Sequence, residues 1–225
     1  MNDVNIGPKR FEKKWIFQNN NYLEILTSLY KSNFFFIDHH ESRLINSIYF
    51  DSNKLDCINN NLDGVNKREK FRVRWYGNSK ILNKPKLEIK IKRNLESHKK
   101  VFSIKGFDNL DIANDDNLKL LTDHINNKII SGGNLKPVNF INYQRLYLIS
   151  SNQLIRATVD YNIRSKKIIN FQNDFFANFN DVILELKYDI NLDKYVRKNL
   201  NQMNVRYSKS SKYINYTLFA ANSYS

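Results

Sequence analysis

Basic residues fall on every second position in two short segments, Phe71-Arg-Val-Arg-Trp75 and Leu87-Glu-Ile-Lys-Ile-Lys92. Side chains on an extended strand alternate between the two faces of a sheet. Phe71, Val73, Trp75, Leu87, Ile89 and Ile91 therefore share apolar faces, while Arg72, Arg74, Lys90 and Lys92 crowd the opposite ones. Like charges about 6 Å apart repel by roughly 3 kcal/mol at an effective dielectric near 20. A fold that gathers such charge on one sheet face has an anion to place there, and phosphate is the leading candidate.

The same period-two pattern recurs in Val182-Ile-Leu-Glu-Leu-Lys-Tyr188 and Leu154-Ile-Arg-Ala-Thr-Val-Asp160. Further strands are expected over 9–17, 43–51, 70–76, 87–93, 99–104, 140–150 and 168–171. Helical spacing is confined to four stretches: 22–31, starting after Asn21 with Glu24 in a capping-box position, 118–129 before Gly132-Gly133, 192–202, and 212–221. Two arrangements of such strands are open on alternation alone. A sheet closed into a barrel would turn the charged faces inward around a polar bore. Otherwise the apolar faces form an ordinary core and the charges meet solvent.

A chain of 225 residues with 41% hydrophobic content can bury one sizeable core, and no Pro/Ser/Gly-rich linker divides it, so a single domain over 1–225 is expected. The net charge of +14, from 36 Lys+Arg against 22 Asp+Glu, favours polyanionic partners. Part of it reflects a general bias towards Asn, Lys and Ile. Cys57 stands alone, which excludes an intrachain disulfide and a Cys-rich zinc site. The first ten residues lack the apolar stretch of a signal peptide, and no run approaches the roughly 20 apolar residues of a membrane span. A cytoplasmic protein is expected, with docking onto a membrane or a membrane-protein partner left open.

The cations that combine into a candidate site are Arg10, Lys14, Arg72, Arg74, Lys90, Arg145, Arg156, Lys187, Lys209 and Lys212. Arginine matches phosphate oxygens two at a time with a planar fork, whereas lysine acts as a point charge. The acids on the same faces are Glu12, Glu88, Asp160 and Glu185. Mg²⁺ or Mn²⁺ takes one or two protein carboxylates plus substrate phosphate oxygens, and Glu185, between Leu184 and Leu186, is the first choice as its ligand. No P-loop and no Gly-x-Gly-x-x-Gly dinucleotide fingerprint occurs, and His39, His40, His98 and His124 lack metal spacing. No RNA-recognition signature is visible, so nucleic acid ranks last among the polyanions.

In chain order the segments Arg10-Phe-Glu-Lys-Lys-Trp15, Ser47-Ile-Tyr-Phe-Asp-Ser52, Leu62-Asp-Gly64, Lys70-Phe-Arg-Val-Arg-Trp-Tyr-Gly77 and Leu87-Glu-Ile-Lys90 form a recognisable series. It continues with Tyr143-Gln-Arg145, Arg156-Ala-Thr-Val-Asp160, Leu184-Glu-Leu-Lys-Tyr188 and Lys209-Ser-Ser-Lys-Tyr213. This series, spanning about residues 8–221, resembles the VTC domain, the polyphosphate polymerase branch of the triphosphate tunnel metalloenzymes (CYTH-like superfamily).

The resemblance implies an α+β fold: a closed antiparallel β-barrel with a polar cationic lumen and helices packed outside. It implies transfer of the γ-phosphate of ATP to a growing inorganic polyphosphate chain with Mn²⁺ or Mg²⁺. Lys14, Arg72, Arg74, Lys90, Arg145 and Arg156 would then be catalytic, with Lys14 near the acceptor end. Arg10, Glu88, Lys187, Lys209 and Lys212 would bind substrate, and Glu185 would hold the metal. An inorganic or nucleoside triphosphatase, and a non-catalytic polyphosphate-binding module, are the alternatives. The chain departs from the pattern in carrying Glu12 alone where the wider superfamily has two alternating glutamates, and Trp15 where tyrosine is usual. Neither a phosphate-sensing SPX module nor a membrane segment is expected within these 225 residues.

Overall fold

The computed structural model describes residues 10–18, 21–94, 96–129, 134–168, 176–200 and 211–222, without the side chains of Arg10 and of residues 218–222. Its strands are β1 (Arg10–Phe17), β2 (Phe36–Asp51), β3 (Lys67–Tyr76), β4 (Lys86–Arg93), β5 (Glu96–Ser103), β6 (Lys136–Ser150), β7 (Arg156–Lys167), β8 (Ala177–Phe179) and β9 (Val182–Asp189). The helices are α1 (Tyr22–Tyr30), α2 (Asp56–Leu62), α3 (Asp115–Lys128), α4 (Asp193–Leu200) and α5 (Lys212–Asn222). Most of the structure is antiparallel sheet. The strand expected over 168–171 falls almost wholly outside the described residues, as do Gly132-Gly133 and the end of the helix expected to reach 202.

Hydrogen-bonded neighbours follow the order β1-β9-β7-β6-β2-β3-β4-β5, with β8 paired to β7. This corrects the expectation of a closed barrel around a cationic lumen with helices packed outside. Among the described residues β1 and β5 end the order, each paired on one side only, and the sheet is open. Alternation dictates which side chains share a face, but closure is decided by whether the two end strands can pair. Both ends carry adjacent lysines, Lys13-Lys14 on β1 and Lys99-Lys100 on β5, and β5 is exposed along its whole length. Lysines on an edge oppose further strand addition.

The chain divides into two compact units. The first comprises residues 1–43, 143–163 and 178–211. Its core joins Trp15 of β1, Ala157 and Val159 of β7, and Val182, Leu184, Leu186 and Tyr188 of β9 to Ile25 and Leu29 of α1 and Val196 and Leu200 of α4. The alternation produces this packing directly: Glu185 lies between two core leucines and points the other way. Asn21 caps α1 by accepting from the Leu23 amide at 3.0 Å. Lys13, on the core-side face of β1, pins α4 through Asp193.

The second unit comprises residues 44–142, 164–177 and 212–225. Phe71, Val73 and Trp75 of β3 and Leu87 of β4 are buried as their alternation requires, and Trp75 stacks on Phe140 at 5.8 Å. Leu118, Leu121 and Ile125 form the buried stripe of α3. The short helix α2 was not expected. Leu55 at its start has φ 57° and offers no side-chain cap; the free amides of Cys57 and Ile58 are instead taken by the carboxylate of Asp51, at 2.9 and 3.2 Å.

Candidate functional site

Each unit carries a buried carboxylate surrounded by cations. In the second unit that carboxylate is Glu88, whose side chain is 2% exposed. The β3–β4 register sets Glu88 opposite Arg72, and the β4–β5 register sets Lys99 opposite Lys90. Arg72 donates from Nε to Oε2 at 2.7 Å, with its Nη2 at 2.5 Å from the same oxygen. Nη2 of Arg74 and Nζ of Lys99 both lie 2.8 Å from Oε1. Burial alone would raise the Glu88 pKa, but Arg72, Arg74 and Lys99 outweigh it and hold it at about 2.

Aromatic side chains fix the two arginines. Arg72 donates from Nη1 to the Tyr49 hydroxyl at 3.3 Å, and Arg74 lies over the Tyr76 ring at 5.3 Å. Tyr49 stacks on Tyr213 of α5 at 4.7 Å, and the Tyr213 hydroxyl donates to Asp51 at 2.7 Å. This chain of contacts brings the start of α5, and so Lys212, to the arginine side of β2. The N-terminus of an eleven-residue helix adds partial positive charge there. Lys90 is exposed on β4, in register with Lys70 on one side and Lys99 on the other. Nε of Arg74 is buried with no hydrogen-bond partner.

In the first unit the carboxylate is Glu185, whose side chain is 8% exposed. The β1–β9 register pairs Lys14 with Glu185 and Glu12 with Lys187, while the β7–β9 register pairs Thr158 with Glu185 and Arg156 with Lys187. Nζ of Lys14 lies 2.6 Å from Glu12 and 3.1 Å from Glu185, and Nζ of Lys187 lies 2.8 Å from Glu185. Burial would push the Glu185 carboxyl up, but Lys14, Lys187 and Arg145 hold it well below the usual carboxylate range. Burial likewise opposes the charge on Lys14, and Glu185 and Glu12 more than offset it, so its pKa is raised.

Arg145 binds Asp160 with a two-pronged contact, Nε to Oδ1 at 2.5 Å and Nη2 to Oδ2 at 2.7 Å, above the Tyr143 ring at 5.4 Å. Arg156 is exposed on β7. The backbone of Arg10 pairs with Asp189, and Lys209 lies outside the described residues. The Thr158 hydroxyl is another of the buried polar atoms without a hydrogen-bond partner.

Among the expected residues, the structure thus joins Arg72, Arg74 and Glu88 directly, with Lys90 on the strand of Glu88 and Lys212 at the start of α5, beside the Tyr213 that stacks on Tyr49. Separately it joins Lys14, Lys187 and Glu185. Lys99, Glu88's third cation, was missed because Lys99-Lys100-Val-Phe102 does not alternate and assigns no face.

Among the described residues no three His, Cys, Asp or Glu side chains group together as a metal cage. At these residues a divalent ion would draw most of its coordination positions from substrate oxygens, which is ordinary for Mg²⁺ or Mn²⁺. Glu185 suits that role better than Glu88: its partners are single-point lysines, one of them 46% exposed, and Glu12 lies beside the same lysines.

The fold recurs in solved structures. A candidate adenylate cyclase from Bacillus halodurans matches with a TM-score of 0.55 at 12% identity, covering 92% of this chain and 96% of that one. A candidate adenylate cyclase from Vibrio parahaemolyticus matches with a TM-score of 0.51 at 11% identity, over 92% and 96%. A candidate adenylyl cyclase from Hippeastrum, described as having a dominant triphosphatase activity, matches with a TM-score of 0.51 at 13% identity, over 92% and 95%. No curated protein matches the chain in sequence. A sequence model of the VTC domain matches residues 9–220, and the chain belongs to the VTC-domain family. No described helix is long and apolar enough to cross a membrane.

Proposed function

We propose that this chain is a metal-assisted phosphotransferase that moves the γ-phosphoryl group of ATP onto the end of an inorganic polyphosphate chain. The observation that carries the reading is the cluster on Glu88. Two arginine forks and a lysine are held in place by one buried carboxylate, and a guanidinium N–H in their midst lacks an acceptor. Phosphate oxygens supply the missing acceptors. Glu88 acts on the substrate through the cations it orients, since an ionised carboxylate repels phosphate.

In this reaction an oxygen at the end of the polyphosphate attacks Pγ of ATP, the Oβ–Pγ bond breaks, and ADP departs with that electron pair. The protein's share is positioning and charge neutralisation. Arg72 and Arg74, each stiffened by Glu88 and by an aromatic neighbour, would bind the phosphoryl oxygens in fixed directions. Lys90 and Lys212 would add charge along the phosphate chain. In the other cluster Arg145, Arg156, Lys14 and Lys187 would contribute further phosphate contacts, and so would Arg10 and Lys209. Glu185, helped by Glu12, would hold Mn²⁺ or Mg²⁺, which when bound supplies Lewis-acid neutralisation of phosphate charge.

The test is product analysis of purified protein incubated with ATP and Mn²⁺. Long, acid-labile phosphate chains together with ADP are expected. Orthophosphate as the sole product would reject the transferase and favour the second reading, a triphosphatase, which the activity described for the Hippeastrum protein makes worth separating. Nucleotide binding with no turnover would reject both and leave a polyphosphate-binding module.

A further inference from the structure

Two residues that lie opposite each other in the β2–β3 register each carry a buried donor without a partner. Ser47 is paired in register with Arg74. Ser47 is fully buried, and its Oγ has no hydrogen-bond partner. Nε of Arg74 has none either, although its Nη2 holds Oε1 of Glu88 at 2.8 Å. Residues directly opposite in an antiparallel ladder share a face, with Cβ atoms about 5 Å apart. The hydroxyl and the guanidinium therefore lie on the same face of β2 and β3, the face from which Arg72 and Arg74 reach Glu88.

Orphaned buried polar groups are few in native structures, and each one calls for a partner. Glu88 cannot serve both donors, because Arg72 and Lys99 occupy its oxygens as well. A single anionic oxygen with several lone pairs satisfies both at once. We propose that Ser47 is a further ligand of the condensed phosphate, its Oγ–H and the Nε–H of Arg74 together seating one non-bridging phosphoryl oxygen. This rests on the phosphate reading of the cluster and adds a residue to it. The serine hydroxyl stands one bond from Cβ and cannot follow a moving ligand. It sets the register of the phosphate chain along β3, while the longer arginines supply the attraction.

The decisive variant is Ser47→Ala, read by calorimetric titration with tripolyphosphate and by thermal unfolding without ligand. A hydroxyl kept for a ligand is a liability in the free protein, so its removal should raise the unfolding temperature by about 2–4 °C. The same change should weaken tripolyphosphate binding about tenfold. A buried purely structural hydroxyl would move both quantities down together, and that outcome, or failure of the variant to fold, overturns the proposal. Unchanged affinity also overturns it, assigning the two donors to a buried water while the phosphate reading stands. If the unmutated protein itself ignores tripolyphosphate, the phosphate reading falls first and this inference with it.

Discussion

The two carboxylate-centred clusters look alike in sequence, each an acid alternating with cations on a strand, yet they are built from different chemistry. Glu88 is gripped by two guanidinium forks and one lysine, and both of its oxygens are occupied. Glu185 is held by two lysines, with Glu12 sharing them. A fork sets direction as well as charge, whereas an ammonium is a point charge that a metal ion can replace. The Glu88 cluster is therefore suited to orient phosphate, and the Glu185 cluster to exchange a lysine contact for a divalent ion. The difference lies in the partners and not in the acids.

The largest expected effect breaks this contrast at the level of rate. Arg74→Lys and Glu185→Gln should each lose on the order of 10³-fold in ATP-dependent chain growth, by analogy with charge-clamp residues in phosphoryl transfer. Only Glu185→Gln should also raise the Mn²⁺ concentration needed for half-maximal rate. An equal shift in Arg74→Lys would erase the division of labour.

Stability comes next. Glu88→Gln strands three cations around a buried site and should cost about 3–5 kcal/mol in urea unfolding. Glu185→Gln should cost less, because Glu12, 2.6 Å from Lys14, remains to neutralise it. Equal losses would contradict the account.

Acid sensitivity follows with its sign fixed. The Glu88 pKa is about 2 in the folded protein against an ordinary 4.5. Its contribution, on the order of 3 kcal/mol, is complete above about pH 4.5 and is lost as the pH falls towards 2. Unfolding curves measured across that window should flatten in Glu88→Gln. The smallest effect belongs to Thr158→Val, which removes an unpartnered hydroxyl beside Glu185 and should raise stability by up to about 1 kcal/mol in thermal melts. A loss of stability there would mean that the hydroxyl has a partner in solution.

Much of the strand architecture was legible in the chain. Phe71, Val73, Trp75 and Leu87 are buried opposite their charged neighbours because a period of two admits one apolar face per strand. Closure was not legible, since it depends on edges β1 and β5, far apart in sequence and each bearing paired lysines. Helix α2 was hidden because Asp51, five residues before its first residue, caps it from the end of β2. The site was half visible. Alternation put Glu88 among cations, but only the register of β4 against β3 shows that it is their common anchor. Ser47 stood out only as the first residue of the Ser47–Ser52 segment and not as a ligand, because Asn46-Ser47-Ile48-Tyr49 is buried on both faces and no polar-apolar rhythm marks the hydroxyl.

Whether the alternating arginines of β3 grip condensed phosphate is tested by calorimetric titration of tripolyphosphate into the wild-type protein and into the Arg72→Ala/Arg74→Ala double variant, at low and at physiological salt. Wild-type binding should weaken steeply with salt and vanish in the double variant. Binding of equal strength in both proteins, or no binding to the wild type, would contradict that role for Arg72 and Arg74.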